Sequence, residues 1–562
     1  MGARIFLIMI RVPGLRRMTP RSIKAIIAAA VLIIAAFFLF ARLGYHALWD
    51  DEADTALFAQ SIWQTGDTHA IAGHNLIAHT YGQELRNLYN RYIPPLGFYI
   101  AAPFVGLAPG SAFAARLPFA MCGLLTVAVM LLWLWRSQST VSVWLLTAAG
   151  ILGNVSLMLF SRQCRYYSPA ILATVVLAYL YFYRDNRRRT LWATAVVSLL
   201  LLASNYMFYA AVYSCLIVDY LIWGRNDRPF RSSGLAIIFV PQVIFGGFLA
   251  SSYNLLWEQK HIWNPADKTS LHDYVNIFLW NLREFNSCEL GVGILVVLAP
   301  LFYFYTKDKR LLQCALAIFT YILVIVLLAP KPLKGYDTAT VRYLCPLIPL
   351  CILTAVLSIR ALTMNSKWIA APLAVLAFGT NILHGGPLVG VDRKTDFSGI
   401  IADGRFRSTV LEFIGELISP PPSAYRAAAD WINQNLQDKD SVWVMPGYAT
   451  YPLMYHAPKV VYAWQLRKTE VQFEGLPEIH FMEEVPPDYA IAFGPYAQEA
   501  KAMFQKLEER GVHYAQIGQI NRYWYDLIRP ELFWHSFREI RHYSPSSEAI
   551  CIFKQRPLPR NP

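Results

Sequence analysis

The stretch "LWDDEADTALFAQSIWQTGD", residues 48–67, comes directly after the first long apolar segment of the chain. It opens with three acids, Asp50, Asp51 and Glu52, and continues with apolar residues at helical spacing. This pattern predicts a short amphipathic helix on the membrane surface, with the acids in its first turn. Acids in that position can cap the helix and complement its dipole. They can also take part in a reaction at the edge of a membrane, and the other motifs of the chain bear on which role applies.

The composition indicates an integral membrane protein. The chain has 562 residues, of which 56% are hydrophobic and 15% charged, whereas soluble proteins carry about 25% charged residues. The net charge is +13, but the basic residues cluster between apolar segments. They therefore indicate membrane topology rather than a nucleic-acid partner. The eight cysteines form no C-x-x-C pair, which makes a disulfide framework or a zinc site unexpected.

Apolar segments of about 17–25 residues, the length that crosses a bilayer, recur through the first two-thirds of the chain. Every second connecting loop is short and basic, which predicts that these loops are cytoplasmic. The remaining loops, above all the first one at residues 42–112, are then external. The first segment lacks a clear cleavage site and is interpreted as a retained anchor. About eleven spans are predicted, at residues 25–41, 113–134, 141–160, 169–183, 190–204, 206–223, 234–251, 290–306, 311–329, 343–359 and 368–384.

Residues 385–562 have a different pattern, in which helices and strands alternate. "SAYRAAADWINQNL" and "AQEAKAMFQKLEERG" predict helices, and "DSVWVMP", "KVVYAW", "DYAIAFG" and "AICIFKQ" predict strands. No Gly-rich phosphate loop opens these helices, so no nucleotide site is expected. The predicted fold is an α-helical polytopic membrane domain, residues 1–384, with a C-terminal α/β extracytoplasmic domain, residues 385–562. The second domain would cover the mouth of the first or help to select an acceptor.

Several motifs, taken in order, resemble those of the GT-C glycosyltransferases, in particular the branch of protein O-mannosyltransferases and lipid A aminoarabinose transferases. The motifs are the Asp-Glu pair at 51–52, "PPL" at 94–96, "RLP" at 116–118, "LFSRQCRYYSPAI" at 159–171 and "VRYLCPLIPL" at 341–350. The start of the tail, "AADWINQNLQDKDSVWVMP", is also similar to the outer domain of many members. The resemblance implies transfer of a sugar from a polyprenyl-phosphate carrier to an acceptor on the outer face of the membrane.

The resemblance also implies that Asp51 is the catalytic base, with Glu52 beside it. A hydroxyl that attacks an anomeric carbon needs a carboxylate to accept its proton, and the departing lipid phosphate needs cations or hydrogen-bond donors. Relatives often have a lysine directly before the Pro pair, where this chain has Ile93, which puts the donor contacts in question. The candidates for the donor phosphate are Arg91, Arg162, Arg165, Tyr166 and Arg342. Motif position favours Arg165 and Arg342, although each arginine could instead reach the lipid headgroups.

The external loops hold further polar residues whose role the sequence leaves open. The candidates for acceptor contacts or for loop packing are His74, His79, Glu84 and His261. Asp51 and Glu52 could also hold a divalent metal ion, as in the oligosaccharyltransferase relatives.

The expected partners are a polyprenyl-phosphate sugar, a lipid, glycan or protein acceptor, and membrane lipids. Two other classes stay open, a transporter or flippase of a lipid-linked glycan and a non-catalytic scaffold. The near absence of charges inside the predicted spans and of an internal repeat argues against the transporter. The expected location is a bacterial inner membrane with the active site in the periplasm, although a protein of the endoplasmic reticulum would show the same polarity.

Overall fold

The computed structural model describes residues 19–253, 270–287, 293–328, 338–364, 366–380, 382–383, 408–469, 473–522 and 549–556. The predicted domain boundary near residue 385 lies outside these residues. Up to residue 383 the described chain is mainly helical. The helices are α1 Pro20–Phe40, α2 Asp50–Thr65, α3 Leu96–Leu107, α4 Ala112–Arg136, α5 Val141–Gly153, α6 Val155–Ser161, α7 Tyr167–Phe182, α8 Arg188–Ser204, α9 Tyr206–Asp219, α10 Ser232–Ser252, α11 Leu271–Ser287, α12 Gly293–Val297, α13 Ala299–Thr306, α14 Lys309–Leu328, α15 Ile348–Leu362 and α16 Lys367–Gly379.

Six of the described helical segments are long and apolar enough to cross a membrane, which identifies an integral membrane protein. They are α1, α4, Tyr206–Asp227, α10, α14 and Arg342–Leu362. A seventh span results if α5 and α6, which are bent by 58° relative to each other, are counted as one. The bend has a local cause, since the side chain of Asn154 accepts a hydrogen bond from the Leu157 N–H and caps α6.

The predicted count of about eleven spans is not confirmed. The predicted spans 169–183, 190–204 and 368–384 correspond to α7, α8 and α16, which have 16, 17 and 13 residues. Helices α7 and α16 are shorter than the minimum of about 17 residues that crosses a bilayer, and α8 is at that limit. The predicted span 290–306 lies partly outside the described residues, and its described part is divided between α12 and α13.

The loop at residues 42–112 carries α2, α3 and two small hairpins. Strand β1 Ile71–Ala72 pairs with β2 Asn75–Leu76, and β3 Leu85–Arg86 pairs with β4 Tyr89–Asn90. Helix α2 packs against α3 on one side and against the tail on another. Its apolar side chains join one buried cluster with those of the tail, among them Phe58 and Leu453.

The tail forms a five-stranded mixed sheet in the order β6-β5-β7-β9-β8. Strand β5 is parallel to both of its neighbours, whereas β9 is antiparallel to β7 and β8. The two predicted helices and four predicted strands are confirmed, and β8 is an additional strand. The tail elements are α17 Thr409–Ile418, α18 Ala424–Asn435, β5 Ser441–Met445, α19 Thr450–His456, β6 Val461–Tyr462, β7 Tyr489–Phe493, α20 Tyr496–Glu508, β8 His513–Ile520 and β9 Ile550–Arg556.

Candidate active site

The carboxylate of Asp51, in the first turn of α2, is contacted by two arginines from distant parts of the chain. Its Oδ2 atom lies 3.1 Å from Nη2 of Arg165 and 3.0 Å from Nη1 of Arg342. Arg165 follows α6, and Arg342 lies in the 3-10 segment Thr338–Leu347 that leads into α15. The Asp51 side chain is 14% exposed, so solvent and ligands can still reach it. The two arginines favoured by the sequence motifs are thus brought to the predicted base.

Arg165 is fixed in place by the first turns of α2. Its Nη1 atom donates to the Asp51 carbonyl and to Oγ1 of Thr55, at 3.1 Å each, and Thr55 Oγ1 donates to the same carbonyl at 2.8 Å. Burial by itself would lower the pKa of Arg165, but the negative charge of Asp51, acting together with Tyr166 and Tyr167, raises it. Arg165 is therefore a permanent cation beside the carboxylate. Thr55 was not predicted from the sequence, although it stands one helical turn after Asp51.

Aromatic rings form the surface beneath the two guanidiniums. Arg165 lies over the ring of Tyr166 at 5.0 Å, and Arg342 lies over that of Tyr343 at 5.3 Å. Phe208 joins the two tyrosines, with ring centroids 5.8 Å from Tyr166 and 6.2 Å from Tyr343. Tyr166, a predicted phosphate contact, is thus placed at the site, where its ring supports a guanidinium.

Glu52 occupies a different environment from its neighbour. It is completely buried, and both of its oxygens receive hydrogen bonds from Arg116, with Nε at 2.9 Å from Oε1 and Nη2 at 2.5 Å from Oε2. The Cys164 N–H donates to the same carboxylate at 2.8 Å and the Trp49 N–H at 3.3 Å. Arg116 also donates to three carbonyls of the chain before α2, those of Leu43, His46 and Ala47.

This network joins α4, the start of α2 and the loop that carries Arg165. Glu52 therefore positions the site rather than facing its open side. Arg116 was not among the predicted site residues, but a signal was present. An arginine inside an otherwise apolar helix needs a buried carboxylate partner.

The residues around Asp51 and Glu52 do not fit a divalent metal ion. Such an ion needs several oxygen ligands with uncompensated negative charge. Here the carboxylate of Asp51 is shared by Arg165 and Arg342, and that of Glu52 is held by Arg116. Within the described ranges, no group of three or more His, Cys, Asp or Glu side chains is arranged to hold a metal.

The other predicted arginines lie apart from the Asp51 carboxylate. Arg91 makes a bidentate pair with Asp67, at 2.8 and 2.6 Å, and lies over the rings of Tyr89 and Tyr253. The hydrogen bonds from Arg91 lower the pKa of Asp67 below its usual value. Arg162 donates to the Phe38 carbonyl in the last turn of α1, at 2.6 Å.

The predicted acceptor candidates are also dispersed. The His74 Nε2 atom is 3.0 Å from the Val460 carbonyl, so this residue joins the first loop to the tail. Glu84 is buried in the loop, at 7% exposure. The side chain of His79 and the whole of His261 lie outside the described residues.

The tail supports the segment that leads into α2. The Leu48 N–H donates to Nε2 of His456 at 3.1 Å, and Nδ1 of the same ring is 3.0 Å from the Gly110 carbonyl. Burial lowers the pKa of His456 to about 3, and the positive charge of Arg426 adds to this effect. The ring is therefore neutral, with its proton on Nδ1. Because Leu48 is close to Asp51 in the chain, the tail helps to fix the start of α2.

The described architecture is similar to those of solved membrane glycosyltransferases. ArnT from Cupriavidus metallidurans bound to undecaprenyl phosphate matches with a TM-score of 0.53 and 13% identity, over 85% of this chain and 94% of that chain. The Archaeoglobus fulgidus oligosaccharyltransferase in complex with Zn and sulfate gives a TM-score of 0.42 and 11% identity, over 84% and 69% of the two chains. The arabinosyltransferase EmbB from Mycobacterium smegmatis gives a TM-score of 0.37 and 10% identity, over 62% of this chain and 31% of that chain.

No known family model matches the sequence, and no curated protein matches it. The structural likeness to ArnT extends over most of both chains. It confirms, at the level of the fold, the resemblance that the sequence motifs indicate. The chain therefore has the same fold as ArnT.

Proposed function

We propose that the protein transfers a sugar from a polyprenyl-phosphate donor to an acceptor hydroxyl on a lipid, glycan or protein, and that Asp51 accepts the proton of that hydroxyl. The observation that carries the proposal is the convergence of Arg165 and Arg342 on the partly exposed carboxylate of Asp51. The GT-C fold supports the proposal, as does the polyprenyl phosphate bound to the structural neighbour ArnT.

The charge of the site suits a phosphodiester. Two guanidiniums beside one carboxylate leave a net charge of about one positive unit, and a sugar linked to a lipid through one phosphate carries about one negative unit. The Nε atoms of Arg165 and Arg342 are buried and, among the described residues, have no hydrogen-bond partner. A phosphate oxygen would supply the missing acceptor, since buried donors are normally satisfied.

The same arginines explain how Asp51 becomes available. In the ligand-free arrangement they hold the carboxylate and reduce its basicity. A donor phosphate competes for their hydrogen bonds, so donor binding releases Asp51 to face the acceptor. The acceptor oxygen then bonds to the anomeric carbon while its proton passes to Asp51. The bond from that carbon to the phosphate oxygen breaks, and the electron pair stays on the polyprenyl phosphate, which Arg165 and Arg342 stabilise.

The location at one end of the spans suits a donor whose tail remains in lipid. Arg116, which joins α4 to the site, is near the start of that helix, and Arg136 is at its other end. Twenty residues of helix separate these two arginines by about 30 Å, the thickness of the hydrocarbon core. We place the site on the outer face, in the periplasm of a bacterial inner membrane. In this proposal residues 1–384 form the catalytic domain and residues 385–562 an accessory external domain.

The test is a transfer assay with the purified full chain. Polyprenyl-phosphate sugars labelled in the sugar are supplied one at a time, with membrane extract as the source of acceptor. One donor should lose its sugar and release polyprenyl phosphate. Asp51→Asn should reduce this rate by about 10²–10⁴, the usual loss for a general base.

Asp50→Asn is the matched control, because it removes an acid one position away in the same helical turn. It should cost much less than Asp51→Asn. The proposal fails if no donor is consumed, or if Asp51→Asn and the wild type consume it at the same rate. A transporter would move the intact donor and release no free polyprenyl phosphate.

A further inference from the structure

A second polar pocket lies at the outer end of α1, between that helix, the chain after α6, and α17. Arg116 lines one side of it and binds Glu52 with the same guanidinium, so the pocket lies beyond the Glu52 ion pair. Asp51, Arg165 and Arg342 do not line it. The pocket is therefore separate from the proposed active site.

The walls of this pocket present charges of both signs. Glu416 is 8% exposed, and its Oε1 atom lies 3.5 Å from Nε2 of His46. Its second oxygen, Oε2, is buried and has no hydrogen-bond partner among the described residues. Arg162 donates to carbonyls only through Nη1 in the described part of the chain, and Arg42 is exposed at the edge. A buried carboxylate oxygen without a donor is costly, which points to a ligand that supplies one.

The depth of the pocket is that of lipid headgroups. Helix α17 buries Phe413 and Leu417 against the membrane helices, with the Phe413 ring 5.6 Å from that of Phe38 in the last turn of α1. On its other face Leu411 and Ile418 are 69% and 68% exposed. An amphipathic helix beside the end of a membrane span lies in the interface, with its exposed apolar side chains in lipid.

We propose that this pocket binds the headgroup of a zwitterionic phospholipid that carries a phosphate and a primary amine. The phosphate contacts Arg42 and Arg162, and the ammonium donates a hydrogen bond to Oε2 of Glu416. A choline headgroup has the same charges but no N–H to donate to Glu416. A glycerol headgroup can contact the arginines and donate an O–H to Glu416, but it brings no positive charge to the carboxylate, so its hydrogen bond is the weaker one. The bound lipid fixes α17, the helix at the start of the described tail, to α1.

The test measures lipid retention by the delipidated full chain in detergent, using native mass spectrometry. Phosphatidylethanolamine, phosphatidylcholine and phosphatidylglycerol with identical acyl chains are offered in equal amounts. The wild type should retain the ethanolamine lipid about tenfold better than the other two, the scale of one hydrogen bond to a charged group. Glu416→Gln should abolish the preference. Glu412→Gln, on the same helix but outside the pocket, should keep it.

Arg42→Gln provides a second variant that leaves the buried side chains unchanged. It should weaken retention of all three lipids, because all of them carry the phosphate. Equal retention of the three lipids by the wild type would overturn the proposal. So would a preference that survives Glu416→Gln, or retention that Arg42→Gln does not change. Sugar transfer is not the readout, so the outcome is independent of the proposed catalytic role of Asp51.

Discussion

Asp51 and Glu52 are adjacent in the first turn of one helix, yet their carboxylates have opposite surroundings. Asp51 is partly exposed and faces two arginines that come from other segments. Glu52 is completely buried, and Arg116 and two backbone N–H groups surround it. The difference shows how an Asp-Glu pair can combine two tasks. One acid is available to a ligand, and the other fixes the segments that carry the ligand's partners.

The largest effect is expected from removing the arginine that pairs with Glu52, the buried acid. Arg116→Met leaves the Glu52 carboxylate buried without its cation, which typically costs about 3–5 kcal/mol. The measurement is the change in unfolding free energy or Tm of the purified protein. Arg136→Met is the matched control, since it makes the same substitution at the exposed end of the same helix. Equal stability of the two variants would show that the buried pair does not hold the site together.

The site around Asp51, the partly exposed acid, is tested by removing one of its two arginines. Arg342→Ala should raise KM for the lipid-linked donor by about 10–100-fold, the value of one or two hydrogen bonds to a charged group. Arg91→Ala removes an arginine that pairs with Asp67 instead, and should leave KM nearly unchanged. If Arg91→Ala raises KM and Arg342→Ala does not, the donor phosphate binds at the Asp67 side of the loop.

A smaller effect is expected where the tail supports α2. His456 has a pKa of about 3 in the folded chain, against about 6.5 when exposed. Between these values the exposed ring binds a proton that the buried ring does not. Its contribution to docking is therefore fully present above pH 6.5. As the pH falls from 6.5 towards 3, it is lost by up to about 1.4 kcal/mol per unit.

This pH effect is measured by comparing Tm of the wild type and His456→Gln between about pH 7.5 and pH 5. Glutamine can donate and accept hydrogen bonds but does not titrate in this range. As the pH falls, the Tm of the wild type should decrease more than the Tm of the variant. Parallel curves would mean that His456 does not couple the tail to α2.

The sequence predicted the membrane class and most elements of the tail, and it singled out Asp51 as a candidate, but it did not predict the packing around that residue. Motif order was enough to single out Arg165 and Arg342. The contact between Leu48 and His456 depends on how the tail docks, and local patterns carry no information about docking. Strand β8 was not predicted from the sequence, because Gly518 and a register shift interrupt the alternating side-chain pattern of a strand. The count of about eleven spans is not confirmed for the described residues, where several apolar runs form helices shorter than 18 residues. Hydropathy does not register capping residues such as Asn154 and Asn205, which begin new helices inside apolar runs.

The separation of roles between the two acids is tested most directly by measuring sugar transfer and Tm together for Asp51→Asn and Glu52→Gln. Asp51→Asn should keep most of its Tm, because its partly exposed amide oxygen still accepts hydrogen bonds, while its transfer rate falls by about 10²–10⁴. Glu52→Gln should lower Tm much more, because it removes a charge from a completely buried ion pair. Transfer at the wild-type rate by Asp51→Asn, or a wild-type Tm for Glu52→Gln, would contradict the account.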